Sequence, residues 1–129
     1  MSDAPVRPSE LLTGDESELL RRALGEWGGP AHASPEMAVA MGFADVADLL
    51  VQVRRLRGAF KDDQPIDPVD WARALLATEI VFVSDLVGTG FEWSTTTGRS
   101  DEETIRELRG IQRKLGRVIR PFYRTRPAP

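Results

Sequence analysis

The chain has 129 residues, 41% hydrophobic and 29% charged, which fits one globular domain with its own core. Cysteine is absent, which excludes a disulfide scaffold, thiol catalysis and a cysteine zinc site. The net charge of −3 hides an asymmetry: residues 1–98 carry 8 basic and 16 acidic side chains, residues 99–129 carry 9 basic and 4 acidic.

No run reaches the roughly 18 apolar residues of a membrane span, and the polar start, Met1 to Glu10, lacks the apolar stretch of a secretory signal. A cytoplasmic location without a membrane span is the expectation. Arginine outnumbers lysine 15 to 2, a bias that codon usage in a GC-rich genome also produces.

Residues 1–12, with Pro5 and Pro8 among small polar residues, read as a flexible N-terminal arm. Thr13 and Glu16 then form a capping-box pair, and Leu19, Leu20, Ala23, Leu24 and Trp27 follow at helical spacing up to Gly28-Gly29-Pro30. Ser34-Pro35-Glu36 starts a short helix, with serine as cap and proline at the first helical position. Gly42-Phe43 breaks it. Asp45 caps the next helix, whose apolar stripe is Val46, Leu49, Leu50, Val53, Leu56 and Phe60. Lys61 to Pro65 reads as a loop.

Asp67-Pro68 opens a helix expected to reach Leu86 or Val87. Trp71, Leu75, Leu76, Ile80, Val81, Phe82, Val83, Leu86 and Val87 surround it nearly all round, the pattern of a central helix. A rival reading makes Ile80 to Val83 a strand, turned by Gly88-Thr89-Gly90 into a hairpin with Phe91 to Trp93. Residues 88–99 read as a loop rich in Gly, Ser and Thr. Ser100 with Glu103 starts the last helix and Pro121 ends it, leaving a C-terminal tail over 121–129.

That last helix carries the clearest candidate surface. Ile105, Leu108, Ile111, Leu115, Val118, Ile119 and Phe122 form an apolar stripe. Arg106, Arg109, Arg113, Arg117, Arg120 and Arg124 form a basic one on the opposite side. A solvated face accounts for the stripe, since acids at 101–103 and bases toward 120 are what a helix dipole prefers. An acidic protein surface or a second copy also accepts such a stripe. So does a duplex nucleic acid, whose phosphates take two parallel hydrogen bonds from arginine. An anionic membrane surface is a weaker fit, because the core needs the apolar side of the helix.

Glu79 falls on an apolar arc with Ala72, Leu75, Leu76, Val83 and Leu86. A carboxylate there is costly unless paired or protonated. It reads as a salt bridge to a neighbouring arginine, or as a polar contact in a pocket. Residues 88–98, with Phe91, Trp93 and five hydroxyls, are either a ligand-binding loop or a connection anchored by its aromatics.

The single histidine, His32, has no partner for a zinc or hydrolase motif, and the phosphate-loop and nucleophile-elbow patterns are absent. No metal and no cofactor are expected. Met41-Gly42-Phe43 resembles the glycine turn of ubiquitin-associated domains and that of arabinose-regulator-type DNA-binding modules. The resemblance covers only a turn with one anchoring aromatic and assigns no family.

The expected fold class is all-α. It is a single helical domain over 13–120, built as a small bundle of four long helices plus one short one. The expected function is a non-enzymatic interaction or regulatory protein that binds a protein partner, or itself, through Arg106, Arg109, Arg113, Arg117 and Arg120. The first alternative is nucleic-acid binding by the same arginines. The second is a small-ligand binder or enzyme with a pocket at Glu79, Phe91 and Trp93.

Overall fold

The computed structural model describes residues 4–29, 31–84 and 93–123. In chain order these form α1 (Pro8–Leu11), α2 (Gly14–Glu26), α3 (Pro35–Ala40), α4 (Val46–Lys61), α5 (Pro68–Val83), α6 (Trp93–Thr97) and α7 (Asp101–Tyr123). Among the described residues the architecture is all-α. The described residues hold seven helices where four long and one short were expected, and α1 and α6 are short helices beyond the one expected at α3.

Local chemistry sets most helix starts. The Glu16 N–H donates to Thr13 Oγ1 at 3.1 Å and the Thr13 N–H to Glu16 Oε1 at 2.8 Å, a closed capping box. Ser34, Asp45 and Ser100 accept the N–H of Met37, Asp48 and Glu103 in the same way. Asp67 occupies the cap position of α5 without a side-chain cap bond, and Pro68 presets the first turn.

Several ends differ from expectation. Ser84 is extended, so α5 stops at Val83. Ile80 to Val83 are helical, as the continuous pattern from Asp67 indicates. Leu86, Val87 and the hairpin turn at 88–90 lie outside the described residues. Trp93 to Thr97, read as loop, are helical. Pro121 lies inside α7, which continues to Tyr123. In the last turn the missing proline N–H removes a single backbone bond.

One hydrophobic core runs from Leu12 to Ile119. α2 packs on α4, α5 and α7, and α5 packs on α2, α4 and α7, so these two share the centre. Leu19, Leu20 and Leu24 of α2 are fully buried, as are Trp71, Leu75 and Val81 of α5. Leu56 of α4 and Ile111 and Leu115 of α7 meet them. Each such side chain contributes about 1.5–3 kcal/mol by leaving water.

Polar ties fix the helices within this packing. The Trp27 indole N–H donates to the Ala77 carbonyl at 3.2 Å. Buried Asp70 takes Arg55 at 2.9 Å and Arg73 at 3.2 Å. Arg73 also donates to the Gly42 carbonyl at 2.9 Å and lies 5.4 Å from the centre of the Phe43 ring. Gly42 needs its glycine: φ is +96°, and a Cβ would stand 3.3 Å from Arg73 Cγ.

The expected free arm is docked where it is described. Val6 and Ile66 exchange both backbone hydrogen bonds, at 3.0 and 2.9 Å. The Ser9 N–H and hydroxyl donate to the Asp63 carboxylate at 2.8 and 2.6 Å, and the Arg7 guanidinium to the Asp63 carbonyl at 2.7 Å. Composition concealed this because the partners lie more than fifty residues away.

Candidate functional site

α7 divides into four sides. Thr104, Leu108, Ile111, Leu115 and Ile119 face the core. One flank meets α2, where Lys114 Nζ donates to Glu16 Oε1 at 2.6 Å. The other meets α5, where Gln112 Nε2 donates to Glu79 Oε2 at 2.6 Å. Arg106, Arg109, Arg113, Arg117 and Arg120 are all exposed on the remaining side. They span about 21 Å at 1.5 Å per residue, within about 80° of arc. Arg124 lies outside the described residues.

The row keeps its charge. Among the described residues no hydrogen bond or ion pair engages Arg106, Arg113, Arg117 or Arg120. Arg109 Nη1 donates to Gln112 Oε1 at 3.1 Å, a neutral partner. Glu107, between Arg106 and Arg109 in sequence, is turned to Arg99 through two bonds of 2.7 and 2.8 Å. Asp101, Glu102 and Glu103 sit in the first turn, away from the run at 113–120.

Elsewhere acids are engaged locally. The hydrogen bond from Arg21 holds the Glu18 carboxyl below its ordinary value, and Arg21 is raised by the same contact. The Ala44 N–H lowers Asp48 and the two Ser9 donors lower Asp63. None of these carboxylates forms an ion pair with the row.

Two residues of the second predicted site, Glu79 and Trp93, are among the described ones. Half-buried Glu79 accepts a hydrogen bond from the Gln112 amide at 2.6 Å, and Gln112 in turn accepts one from Arg109. Trp93 is fully buried and its indole N–H donates to Thr104 Oγ1 at 2.7 Å. Its ring meets Phe82 edge-on at 5.3 Å. Trp93 thus anchors α6 to the core. Phe91 lies outside the described residues. His32 is exposed, and no cluster of three metal-ligating side chains occurs among the described residues. No described helix is long and apolar enough to cross a membrane.

Two concavities were not anticipated. An open groove of about 720 Å³ lies between α1, α2 and the end of α4, with Leu12 and Phe60 among its walls. Of its charged groups, Glu18 pairs with Arg21 and Asp63 accepts a hydrogen bond from Ser9. A smaller cavity of about 190 Å³ is lined by Met41, Gly42, Val69, Ala72, Arg73, Leu76 and Phe122, with Ala40 at its edge. Gln112 facing Glu79, and Phe122 sharing this cavity with Val69, make α5 and α7 antiparallel.

The apolar character of α5 is where sequence reasoning fell short. Val69 and Val83 are exposed, and Leu76 and Ile80 half-buried, all on one side of the helix. The signal was present in a helix lacking polar residues at 69, 76, 80 and 83. Comparison of the chain with protein families, curated proteins and solved structures finds no match.

Proposed function

We propose that this chain is a non-enzymatic interaction protein that binds an acidic protein surface through Arg106, Arg109, Arg113, Arg117 and Arg120 of α7. The observation that carries the reading is the row itself: five exposed guanidinium groups in line, with no acid paired to them among the described residues. Such a row steers an acidic partner and fixes its register. The excess of acids over bases in residues 1–98 repels polyphosphate, which favours protein over nucleic acid. It also makes a second copy a possible acidic partner.

The test measures binding of an oligoglutamate peptide and of mixed-sequence duplex DNA at low and physiological salt. Wild type is compared with the triple variant Arg109→Glu/Arg113→Glu/Arg117→Glu, alongside sedimentation velocity of each. Salt-sensitive peptide binding lost in the variant supports the proposal. DNA binding that outcompetes the peptide, with a log–log salt slope of about −4 to −5, transfers the row to nucleic acid. Salt-sensitive self-association lost in the variant assigns the row to a second copy. No binding of any kind at low salt reduces it to a solvated face.

A further inference from the structure

The outer side of α5 and the arginine row of α7 lie next to one another. Val69, Leu76, Ile80 and Val83 follow each other at spacings of 7, 4 and 3, so they form one strip about 21 Å long. Val83 is 69% and Val69 38% exposed, although α5 is otherwise a core helix. The bonds Arg109 to Gln112 to Glu79 join the strip to the row. Ile105, on the same flank of α7 as Gln112, is 43% exposed and adds to the apolar border. At the far end the strip runs into the 190 Å³ cavity beneath Phe122.

This is a lane with an apolar floor, a cavity at one end and a cationic wall along one side. Its length matches about four turns of helix. Helix-in-groove recognition uses such a floor, read by apolar residues at i, i+3, i+4 and i+7. We infer that the partner element is an amphipathic helix with acidic residues along one flank. Its apolar side lies on Val69, Leu76, Ile80 and Val83, one large apolar side chain enters the cavity, and its acids face Arg109 and the neighbouring arginines. The inference rests on the proposed function and adds the partner's form and orientation.

Charge selects this occupant over the alternatives. Two copies meeting through the same lane set like-charged rows beside each other, which is unfavourable. A lipid surface has no convex feature to fill the cavity, whereas a helix side chain does. An acidic flank meets the row at the spacing that successive helical turns provide.

The experiment uses the full chain and a hydrocarbon-stapled helical peptide of four to five turns. The peptide has leucines at the i, i+4, i+7 and i+11 positions and glutamates along one flank. A scrambled peptide of the same composition lacks the stripe. Binding is read by fluorescence anisotropy against wild type, Val69→Glu/Val83→Glu and Arg109→Glu/Arg113→Glu. All four positions are exposed, and circular dichroism checks that each variant is folded.

The expected result is binding tighter than about 100 µM, weakened about tenfold or more by scrambling and by either double variant. Equal binding of the scrambled peptide, lost only in the arginine variant, overturns the helix lane and leaves the arginine reading standing. Loss only in the valine variant overturns the arginine wall. Binding of vesicles containing anionic lipid with no peptide binding overturns the inference in favour of a membrane. A dimer broken by the valine variant overturns it in favour of a second copy. No binding of either peptide at low salt overturns both readings.

Discussion

Lys114 and Glu16 meet at 2.6 Å across the contact between α7 and α2, and the same carboxylate oxygen closes the capping box at Thr13. One side chain therefore both starts α2 and ties it to a residue of α7 ninety-eight positions later. Burial opposes the Glu16 charge. The hydrogen bond from Lys114, the Thr13 N–H and the Lys114 charge outweigh that, so the carboxyl lies below its ordinary 4.5.

A depressed folded-state value means that this stabilisation is complete above the ordinary carboxylate range and is lost as pH falls through the folded value. Lys114→Met is expected to cost about 1–2 kcal/mol at neutral pH. It also flattens the decline in stability as pH falls below the ordinary carboxylate range. Urea denaturation of both proteins across that range measures it. An acid decline as steep in the variant as in wild type removes the pair as its cause.

The pairing of Trp93 with Thr104 leads to a coupling prediction. Thr104→Val leaves a buried indole N–H without its acceptor and is expected to cost about 1–3 kcal/mol. In a Trp93→Phe background the same change costs less, by about 1 kcal/mol, because no N–H remains to be stranded. A double-mutant cycle by chemical denaturation reads the difference. Additive effects show that the bond contributes nothing beyond packing.

Asp63 holds the first described residues through its side chain and adopts φ +52°, a left-handed conformation tolerated best by Gly, Asn and Asp. Asp63→Ala combines both losses and is expected to lower stability. Asp63→Gly removes the backbone part while still freeing Ser9. In either variant the Val6 and Ile66 amides exchange hydrogen faster than in wild type. Unchanged protection shows that the bridge between Val6 and Ile66 holds without Asp63.

Much of the fold was legible because its signals are local. Thr13, Ser34, Asp45 and Ser100 mark helix starts through bonds three residues away, and the apolar spacing in α4 and α7 names their buried sides. The arginine row was legible for the same reason. What escaped depends on distant partners: Ser9 on Asp63, Trp93 on Thr104, Glu79 on Gln112. Periodicity shows that α5 is apolar all round, but not which side its neighbours leave uncovered. Pro121 was read as a stop because proline disfavours a helix interior, yet the last turn has little left to lose.

The place of α7 in the chain has a consequence for synthesis. α2, α4 and α5 leave the ribosome first and can begin to associate while α7 is still being made. During that interval α5 lacks the cover that Leu108, Ile111 and Leu115 help to provide. Its partly exposed outer strip and its waiting inner side then present apolar surface together. The nascent chain is most vulnerable to aggregation in that window, and the arrival of α7 closes only the inner side.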